Sequence, residues 1–117
     1  QAFKRMKSGL IVNISDVAAR KVWSAYPVYT VSKAGVESLT KILACSFAPQ
    51  VRVNAIAPGL VLPTEGFPVD DWDRLVSRLP IKRAAFFDEI TGTLEFLLKN
   101  EYITGQTITV DGGYSLL

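Results

Sequence analysis

Residues 28–59 read VYTVSKAGVESLTKILACSFAPQVRVNAIAPG, a helical pattern followed directly by the pattern of a buried strand. Four apolar residues recur at spacings of three and four: Val36, Leu39, Leu43 and Phe47. This periodicity predicts a helix from Val28 to Ala48 that ends before Pro49. The run VRVNAIA (51–57) is short, apolar and rich in β-branched residues, which is typical of a strand buried in a parallel sheet. Pro58-Gly59 ends that strand.

Strand and helix patterns alternate on both sides of this stretch. LIVNIS (10–15) and QTITV (106–110) predict two further strands, and DGG (111–113) predicts a turn. Helices are predicted at residues 1–7, around Trp72–Leu79 and over Phe87–Lys99. Strand–helix–strand order, twice over, predicts an α/β fold with a parallel sheet. Doubly wound sheets usually have more than three strands, and the chain opens without Met, so we expect it to be part of a longer domain.

Composition excludes several functional classes. The 117 residues are enough for one domain, 1–117. The 13 basic and 11 acidic residues give a net charge of +2, which is too small to predict a nucleic-acid partner. Without histidine, His-based triads and His-ligated zinc are excluded, and no metal site is predicted. No apolar run approaches the ~20 residues of a membrane span. The single cysteine, Cys45, fits a reducing compartment, so we expect a cytoplasmic protein with Cys45 in the core.

Three polar residues around the first predicted strand form a candidate proton-transfer site. Asp16 follows that strand, and Tyr29 and Lys33 lie four residues apart at the start of the long helix, so they share one helix face. Ligands bind at the carboxyl ends of parallel strands, where these segments meet. A nearby ammonium lowers the pKa of a phenol by about one to three units, which would make Tyr29 a usable acid. The alternative is a chance pair of solvated side chains.

The motifs GLIVNIS, YTVSKAGVESLT, VRVNAIAPGLV and ITGQTITVDGG, in this order, resemble the C-terminal half of a short-chain dehydrogenase/reductase. The resemblance implies a Rossmann-type, doubly wound parallel sheet and hydride transfer from NADPH or NADH. It gives Tyr29 the role of acid and gives Lys33 the roles of tuning Tyr29 and holding the nicotinamide ribose. It also implies that the backbone of Pro58, Gly59, Leu60 and Val61 contacts the nicotinamide carboxamide.

Asp16 departs from the common pattern of this family, in which a serine stands thirteen residues before the tyrosine. Side chains alternate along a strand, so Ser15 is not expected to replace it. Asp at this position resembles the pteridine reductases and related dihydrofolate or dihydromonapterin reductases, as does the ending YITGQTITVDGGYSL. The resemblance implies an NADPH-dependent reduction of a pterin or folate-like substrate, with Asp16 and Tyr29 protonating a ring nitrogen. A cap at the strand end is the structural alternative for Asp16.

The glycine-rich turn that holds cofactor phosphates in this family is absent from the sequence. We therefore expect the N-terminal βαβ half to be missing and the isolated fragment to be inactive. Residues 62–80 match the variable substrate loop, where Phe67, Trp72 and Leu75 either cover a planar ring or pack the helix. The resemblance implies a homodimer or homotetramer through helix 28–48. A carbonyl reductase and a non-catalytic interaction module are the alternative functions.

Overall fold

A computed structural model describes residues 8–17 and 25–117 of the chain. Its strands are β1 (Gly9–Ile14), β2 (Val51–Pro58) and β3 (Thr107–Val110). Its helices are α1 (Pro27–Phe47), α2 (Val69–Arg78) and α3 (Phe87–Lys99), followed by a 3₁₀ helix at Tyr114–Leu116. The strands form one parallel sheet in the order β1-β2-β3. The predicted α/β fold with a parallel sheet is therefore confirmed.

The sequence patterns place the elements to within a few residues. The helix predicted over Val28–Ala48 is α1, and the helix predicted over Phe87–Lys99 coincides with α3. The helix predicted at residues 1–7 lies outside the described residues, as do residues 18–24 between β1 and α1. Within the described part of the chain, no helix is both long and apolar enough to cross a membrane.

Strand β2 is the centre of the sheet and of the core. Val53, Ala55 and Ala57 have no exposed surface, because β1 and β3 flank the strand and helices cover it. Val53 packs with Val51 and Ala44 in one cluster, against which Ile11, Leu43 and Phe47 also pack. The hydrophobic effect of this cluster fixes α1 across β1 and β2.

The buried face of α1 differs from the predicted one at two positions. Leu39 is 48% exposed, whereas the next residue, Thr40, has no exposed surface. Thr40 tolerates burial because its hydroxyl donates to the Val36 carbonyl at 2.8 Å and accepts from Asn13 Nδ2 at 3.1 Å. Cys45, predicted to lie in the core, is exposed, because one residue beyond buried Ala44 the helix has turned about 100° away from the sheet.

Two polar residues of β2 hold the segment that leads from α3 into β3. The Arg52 guanidinium donates to four backbone carbonyls, those of Leu97, Leu98, Asn100 and Ile103, at 2.9–3.4 Å. Asn54, which is fully buried, donates to the Ile103 carbonyl at 2.9 Å and accepts from the Gln106 N–H at 3.1 Å. These bonds satisfy carbonyls that the end of a helix leaves without partners. They fix the position of β3 along β2, and therefore also the position of the turn that follows β3.

Candidate active site

Asp16 and Tyr29 form the centre of the candidate site. The Tyr29 hydroxyl donates to Asp16 Oδ2 at 2.6 Å, which joins the second residue after β1 to the first turn of α1. Pro27 at the start of α1 favours helix initiation there, since a proline at the first helical position loses no hydrogen bond. Asp16 is half-buried, and Tyr29 is 43% exposed. The pair therefore lies at the surface of the sheet's carboxyl edge, where a ligand can reach it.

Lys33 lies on the same helix face as Tyr29, as the four-residue spacing predicts. Its Nζ is 5.7 Å from the centroid of the Tyr29 ring, so the ammonium faces the ring. The predicted lowering of the pKa of Tyr29 is wrong for this structure. Partial burial, the hydrogen bond to Asp16 and the negative charge of Asp16 together raise the pKa of Tyr29 to about 12. At neutral pH the phenol is therefore protonated and able to donate.

Ser15 does not replace Asp16, as the alternation of side chains predicts. It is 3% exposed, and its hydroxyl donates to the backbone carbonyl of Lys33 at 3.3 Å. Its N–H donates to the Ile56 carbonyl at 2.8 Å, which continues the pairing of β1 with β2. Ser15 thus ties the end of β1 both to β2 and to the helical turn that carries Lys33.

The segment from Pro58 to Val61 leaves the end of β2 beside the end of β3. The Gly59 N–H donates to the Val110 carbonyl at 3.0 Å, and the Leu60 carbonyl accepts from the Ala85 N–H at 2.9 Å. A Cβ at Gly59 would come within 2.8 Å of the Cα and Cβ of Asp111. Glycine is therefore required here for the close approach of two chain segments, and the segment is held at fixed height above the sheet.

Asp111 organises the turn after β3. Its carboxylate accepts from the Gly113 N–H at 2.9 Å and from the Ser115 N–H at 2.8 Å. Partial burial opposes ionisation of Asp111, but its hydrogen bonds with Ser115 and Gly113 outweigh that effect and lower its pKa. The Asp111 carbonyl also accepts from the Tyr114 N–H at 3.0 Å. The predicted DGG turn is confirmed, and it directs Tyr114 back toward the site.

A buried cluster that the sequence patterns did not predict includes Val17, the residue after Asp16. Val17, Leu79 and Tyr114 are 2%, 1% and 5% exposed and pack together, and Leu60 packs against them. The cluster joins the residue after Asp16, the residue after Gly59, the end of α2 and the turn after β3. No periodic pattern signals it, because its members come from four separate segments. The strand ends therefore meet at one rim of the sheet.

The substrate-loop segment 62–80 contains α2 and an aromatic contact. Phe67 and Trp72 meet edge to face, with ring centroids 6.3 Å apart. Phe67 is 37% exposed, while Trp72 and Leu75 are half-buried. This contact supports the alternative in which Phe67 and Trp72 pack the helix. Phe67 keeps an exposed surface, so its contact with a planar ring stays a prediction.

A cleft of about 250 Å³ lies between Leu60, Val110 and the segment that leads into α3. Arg83 and Glu89 line it and form an ion pair through both carboxylate oxygens. Hydrogen bonds from the Arg83 side chain and from the Phe86 N–H lower the pKa of Glu89 to about 2. In residues 8–17 and 25–117, no group of three or more Cys, Asp or Glu side chains could hold a metal ion.

The sequence matches a family model described as enoyl-(acyl carrier protein) reductase over residues 1–115. It is 38% identical to L-xylulose reductase from Caenorhabditis elegans, over 95% of this chain and 47% of that protein. It is 35% identical to pteridine reductase 1 from Leishmania tarentolae, over 99% of this chain and 42% of that protein. The fold is similar to the crystal structure of FolM alternative dihydrofolate reductase 1 from Brucella suis in complex with NADP, with a TM-score of 0.86. That comparison has 42% identity and covers 95% of this chain and 45% of the other. The chain thus spans less than half the length of these three relatives.

Proposed function

The chain belongs to the short-chain dehydrogenase/reductase family, and we propose that it is the C-terminal part of an NADPH-dependent reductase of a pterin or dihydrofolate-like compound. The observation that carries the proposal is the 2.6 Å hydrogen bond from Tyr29 to Asp16. A carboxylate in the place of the family's usual serine changes the chemistry that the site offers to a substrate. The similarity to pteridine reductase 1 and to FolM supports this choice.

The residues present fit the nicotinamide end of the cofactor. The backbone of Pro58, Gly59, Leu60 and Val61 is held at the carboxyl end of β2 by the hydrogen bonds of Gly59 with Val110 and of Leu60 with Ala85, and at that edge it could contact the nicotinamide carboxamide. Lys33 offers an ammonium with three N–H donors for ribose hydroxyls. When bound, the reduced nicotinamide supplies the hydride.

Tyr29 is protonated at neutral pH and so carries the proton that a reduction requires, but its raised pKa makes it a weaker acid than a free tyrosine. With its pKa raised to about 12, the phenol keeps its proton at neutral pH until a more basic atom is placed beside it. Hydride addition to a ring carbon raises the basicity of the adjacent nitrogen, and the Tyr29 O–H bond then breaks as the N–H bond forms. The phenolate that remains lies beside the Asp16 carboxylate, whose negative charge favours its reprotonation from solvent, while the Lys33 ammonium faces its ring.

Asp16 selects the substrate class through its hydrogen-bonding capacity. An ionised carboxylate only accepts hydrogen bonds, and a pterin ring presents an amino group and ring N–H groups as donors. A plain ketone presents only an acceptor, which suits the serine that most family members have. Asp16 therefore both orients a donor-rich heterocycle and holds the Tyr29 hydroxyl next to it.

Substrate comparison tests the proposal. In the complete enzyme, NADPH oxidation is measured with dihydrobiopterin, dihydrofolate, a simple ketone and an oxoacyl thioester. The proposal expects kcat/KM for the pterin or folate to exceed the others by about 100-fold or more. Asp16→Ser should reduce that ratio. Preference for the ketone or the thioester would overturn the pterin assignment and support the second candidate, a carbonyl reductase, which the 38% identity to L-xylulose reductase favours.

The proposed domain division has its own test. If the cofactor phosphates are held by a preceding βαβ half, the 117-residue chain alone should bind NADPH with a Kd weaker than about 10 µM and should not turn over substrate. Fluorescence titration of NADPH measures this, with the complete enzyme as the reference. Tighter binding by the isolated chain would contradict the division.

The outward face of α1 supports a second copy of the enzyme as the proposed partner. Val28, Val31 and Ile42 are 82%, 70% and 60% exposed on this helix. Pairing of α1 helices in a homodimer or homotetramer would remove these apolar side chains from water. Val31→Glu should dissociate the complete enzyme in sedimentation experiments, and an unchanged oligomer would show that α1 is not the interface.

A further inference from the structure

Asp16 lies two residues beyond the end of β1 at Ile14, between Ser15 and Val17, which are both buried. Ser15, before Asp16, is fixed by its hydrogen bonds to Ile56 and Lys33, and Val17, after Asp16, is packed in a buried cluster. Val17 is 2% exposed, and its neighbours are Leu79 and Tyr114.

Tyr114, a member of this cluster, is held in place by the turn after β3. Its N–H donates to the Asp111 carbonyl, and the residues on both sides of it donate their N–H groups to the Asp111 carboxylate. A Cβ at Gly113 would come within 2.6 Å of Pro80 Cγ, so the turn before Tyr114 packs directly on the residue after Leu79. The Tyr114 ring therefore follows a turn that is fixed by hydrogen bonds and directly succeeds β3.

We propose that Tyr114 is a positioning residue for the Asp16–Tyr29 pair and that it acts through Val17. The cluster of Val17, Leu79 and Tyr114 forms a support behind Asp16 that keeps its carboxylate within 2.6 Å of the Tyr29 hydroxyl. Because Leu79 caps the end of α2, the same cluster ties the placement of Asp16 to the substrate-loop segment. This inference rests on the proposed proton-transfer role of Asp16 and Tyr29.

The electrostatics around Tyr114 agree with this placement. Burial raises the pKa of Tyr114, the charge of Arg78 on α2 lowers it, and the charge of Asp16 raises it. The Tyr114 hydroxyl thus lies within electrostatic range of both Asp16 and the last residue of α2. A substitution that lets Asp16 move should change the pKa of Tyr29, because Tyr29 donates a hydrogen bond to Asp16. The Lys33 ammonium faces the Tyr29 ring.

A pair of matched valine substitutions in the complete enzyme tests the proposal. Val17→Ala and Val51→Ala remove the same two methyl groups from positions that are 2% and 4% exposed, and Val51 belongs to the separate cluster between α1 and β2. Both should lower the melting temperature by removal of buried methyl groups. Only Val17→Ala should lower kcat, by about tenfold, because misplacement of a reacting group lowers the rate of the chemical step. Its KM for NADPH should stay unchanged.

The pH profile and a double-mutant cycle are measurements that a loss of stability alone would not change. In Val17→Ala the alkaline limb of the kcat profile should shift to lower pH, toward that of Asp16→Asn, since the hydrogen bond to Asp16 helps to raise the pKa of Tyr29. In the Asp16→Asn background, Val17→Ala should change kcat by less than about twofold, because the group it positions is gone. Equal effects in both backgrounds, or an effect no larger than that of Val51→Ala, would overturn the inference.

Substitutions of Tyr114 itself distinguish the effect of losing the aromatic ring from the effect of losing only the hydroxyl. Tyr114→Leu should reproduce the kcat loss and the shifted pH profile of Val17→Ala, and Tyr114→Phe should restore kcat to within about threefold because it keeps the ring. A Tyr114→Phe enzyme as impaired as Tyr114→Leu would contradict positioning by packing. If Asp16→Asn leaves kcat unchanged, the proposed proton relay itself is wrong. If Asp16→Asn is impaired and Val17→Ala is not, the positioning inference alone fails.

Discussion

The hydroxyl of Tyr29 donates a 2.6 Å hydrogen bond to Oδ2 of Asp16, thirteen residues earlier in the chain. This bond joins the end of β1 to the first turn of α1, and it keeps the phenol in its proton-donating form. It is also the feature that distinguishes this site from one built on a serine.

Removal of the Tyr29 hydroxyl should cost more activity than alteration of the lysine. Tyr29→Phe deletes the proposed proton donor and should lower kcat by about 10²- to 10⁴-fold. Lys33→Arg keeps the positive charge and should lower kcat by only about tenfold. Steady-state kinetics on the complete enzyme measure both, with Tyr102→Phe, at a 98% exposed tyrosine, as the control. A larger loss in Lys33→Arg than in Tyr29→Phe would refute the phenol as the acid.

Tyr29 should titrate far above neutrality, and Asp16 should be part of the reason. The raised pKa of about 12, against an ordinary 10.0, means that the neutral phenol is favoured by folding. Its contribution to stability is therefore complete below about pH 10 and disappears as the pH rises through about 12. In Asp16→Asn the pKa of Tyr29 should fall, which carbon-13 NMR of labelled tyrosine rings can follow. Asp73→Asn, on the exposed face of α2, should leave the pKa of Tyr29 unchanged.

Two glycine substitutions should have opposite effects on stability. Gly59→Ala places a Cβ within 2.8 Å of Asp111 backbone and side-chain atoms, and overpacking of this kind costs about 1–3 kcal/mol. Gly92→Ala lies in α3 with no atom within 4 Å of the added Cβ, and it should stabilise the helix by about 0.5–1 kcal/mol. Urea unfolding of the two variants measures both values. A neutral Gly59→Ala would show that the ends of β2 and β3 can move apart.

The ion pair between Arg83 and Glu89 should stabilise the protein only above acidic pH. The Arg83 side chain and the Phe86 N–H lower the pKa of Glu89 from 4.5 to about 2, so folding favours the ionised carboxylate. Its contribution is present above about pH 4.5 and is lost as the pH falls through about 2. Glu89→Gln should therefore lower the melting temperature at pH 7 and have no effect near pH 2. Glu95→Gln, at an exposed position of α3, serves as the control at both pH values.

Arg52 should not be replaceable by lysine. Its guanidinium donates to four carbonyls in the last turn of α3 and in the segment that follows it, and a lysine ammonium cannot reproduce this arrangement of donors. Arg52→Lys should cost about 1–3 kcal/mol, because carbonyls near the sheet lose their partners. Arg74→Lys, at an exposed ion pair with Asp71 on α2, should change stability by less than about 0.5 kcal/mol. Thermal unfolding compares the two, and equal effects would show that the four bonds are dispensable.

Much of the fold and part of the site follow from local sequence patterns. The period of 3.6 in residues 28–47 and the apolar run at 51–57 predict α1 and β2, because backbone geometry alone decides which side chains share a face. The i, i+4 spacing of Tyr29 and Lys33 predicts their shared helix face for the same reason. The parallel order of the strands places Asp16 at the rim where α1 begins.

Packing between segments decided what the local patterns left open. Thr40 replaces Leu39 on the buried face of α1 because Asn13 of β1 gives its hydroxyl a partner, and this partner is 27 residues away. Tyr29 has a raised pKa because it is partly buried and because its hydroxyl donates a hydrogen bond to the Asp16 carboxylate. A sequence spacing fixes which face a side chain occupies, but the direction of its polar atom depends on what packs against it.

The sequence by itself determined the α/β class, the element order and the three residues that form the candidate site, because these depend on local periodicity and on motifs. Only the tertiary structure decided that Asp16 accepts a hydrogen bond from the hydroxyl of Tyr29. It alone brought Val17, Leu79 and Tyr114 together behind Asp16. These contacts join residues from distant parts of the chain, and the free energy that selects them comes from burial and hydrogen bonding across segments. No single stretch of sequence contains that information.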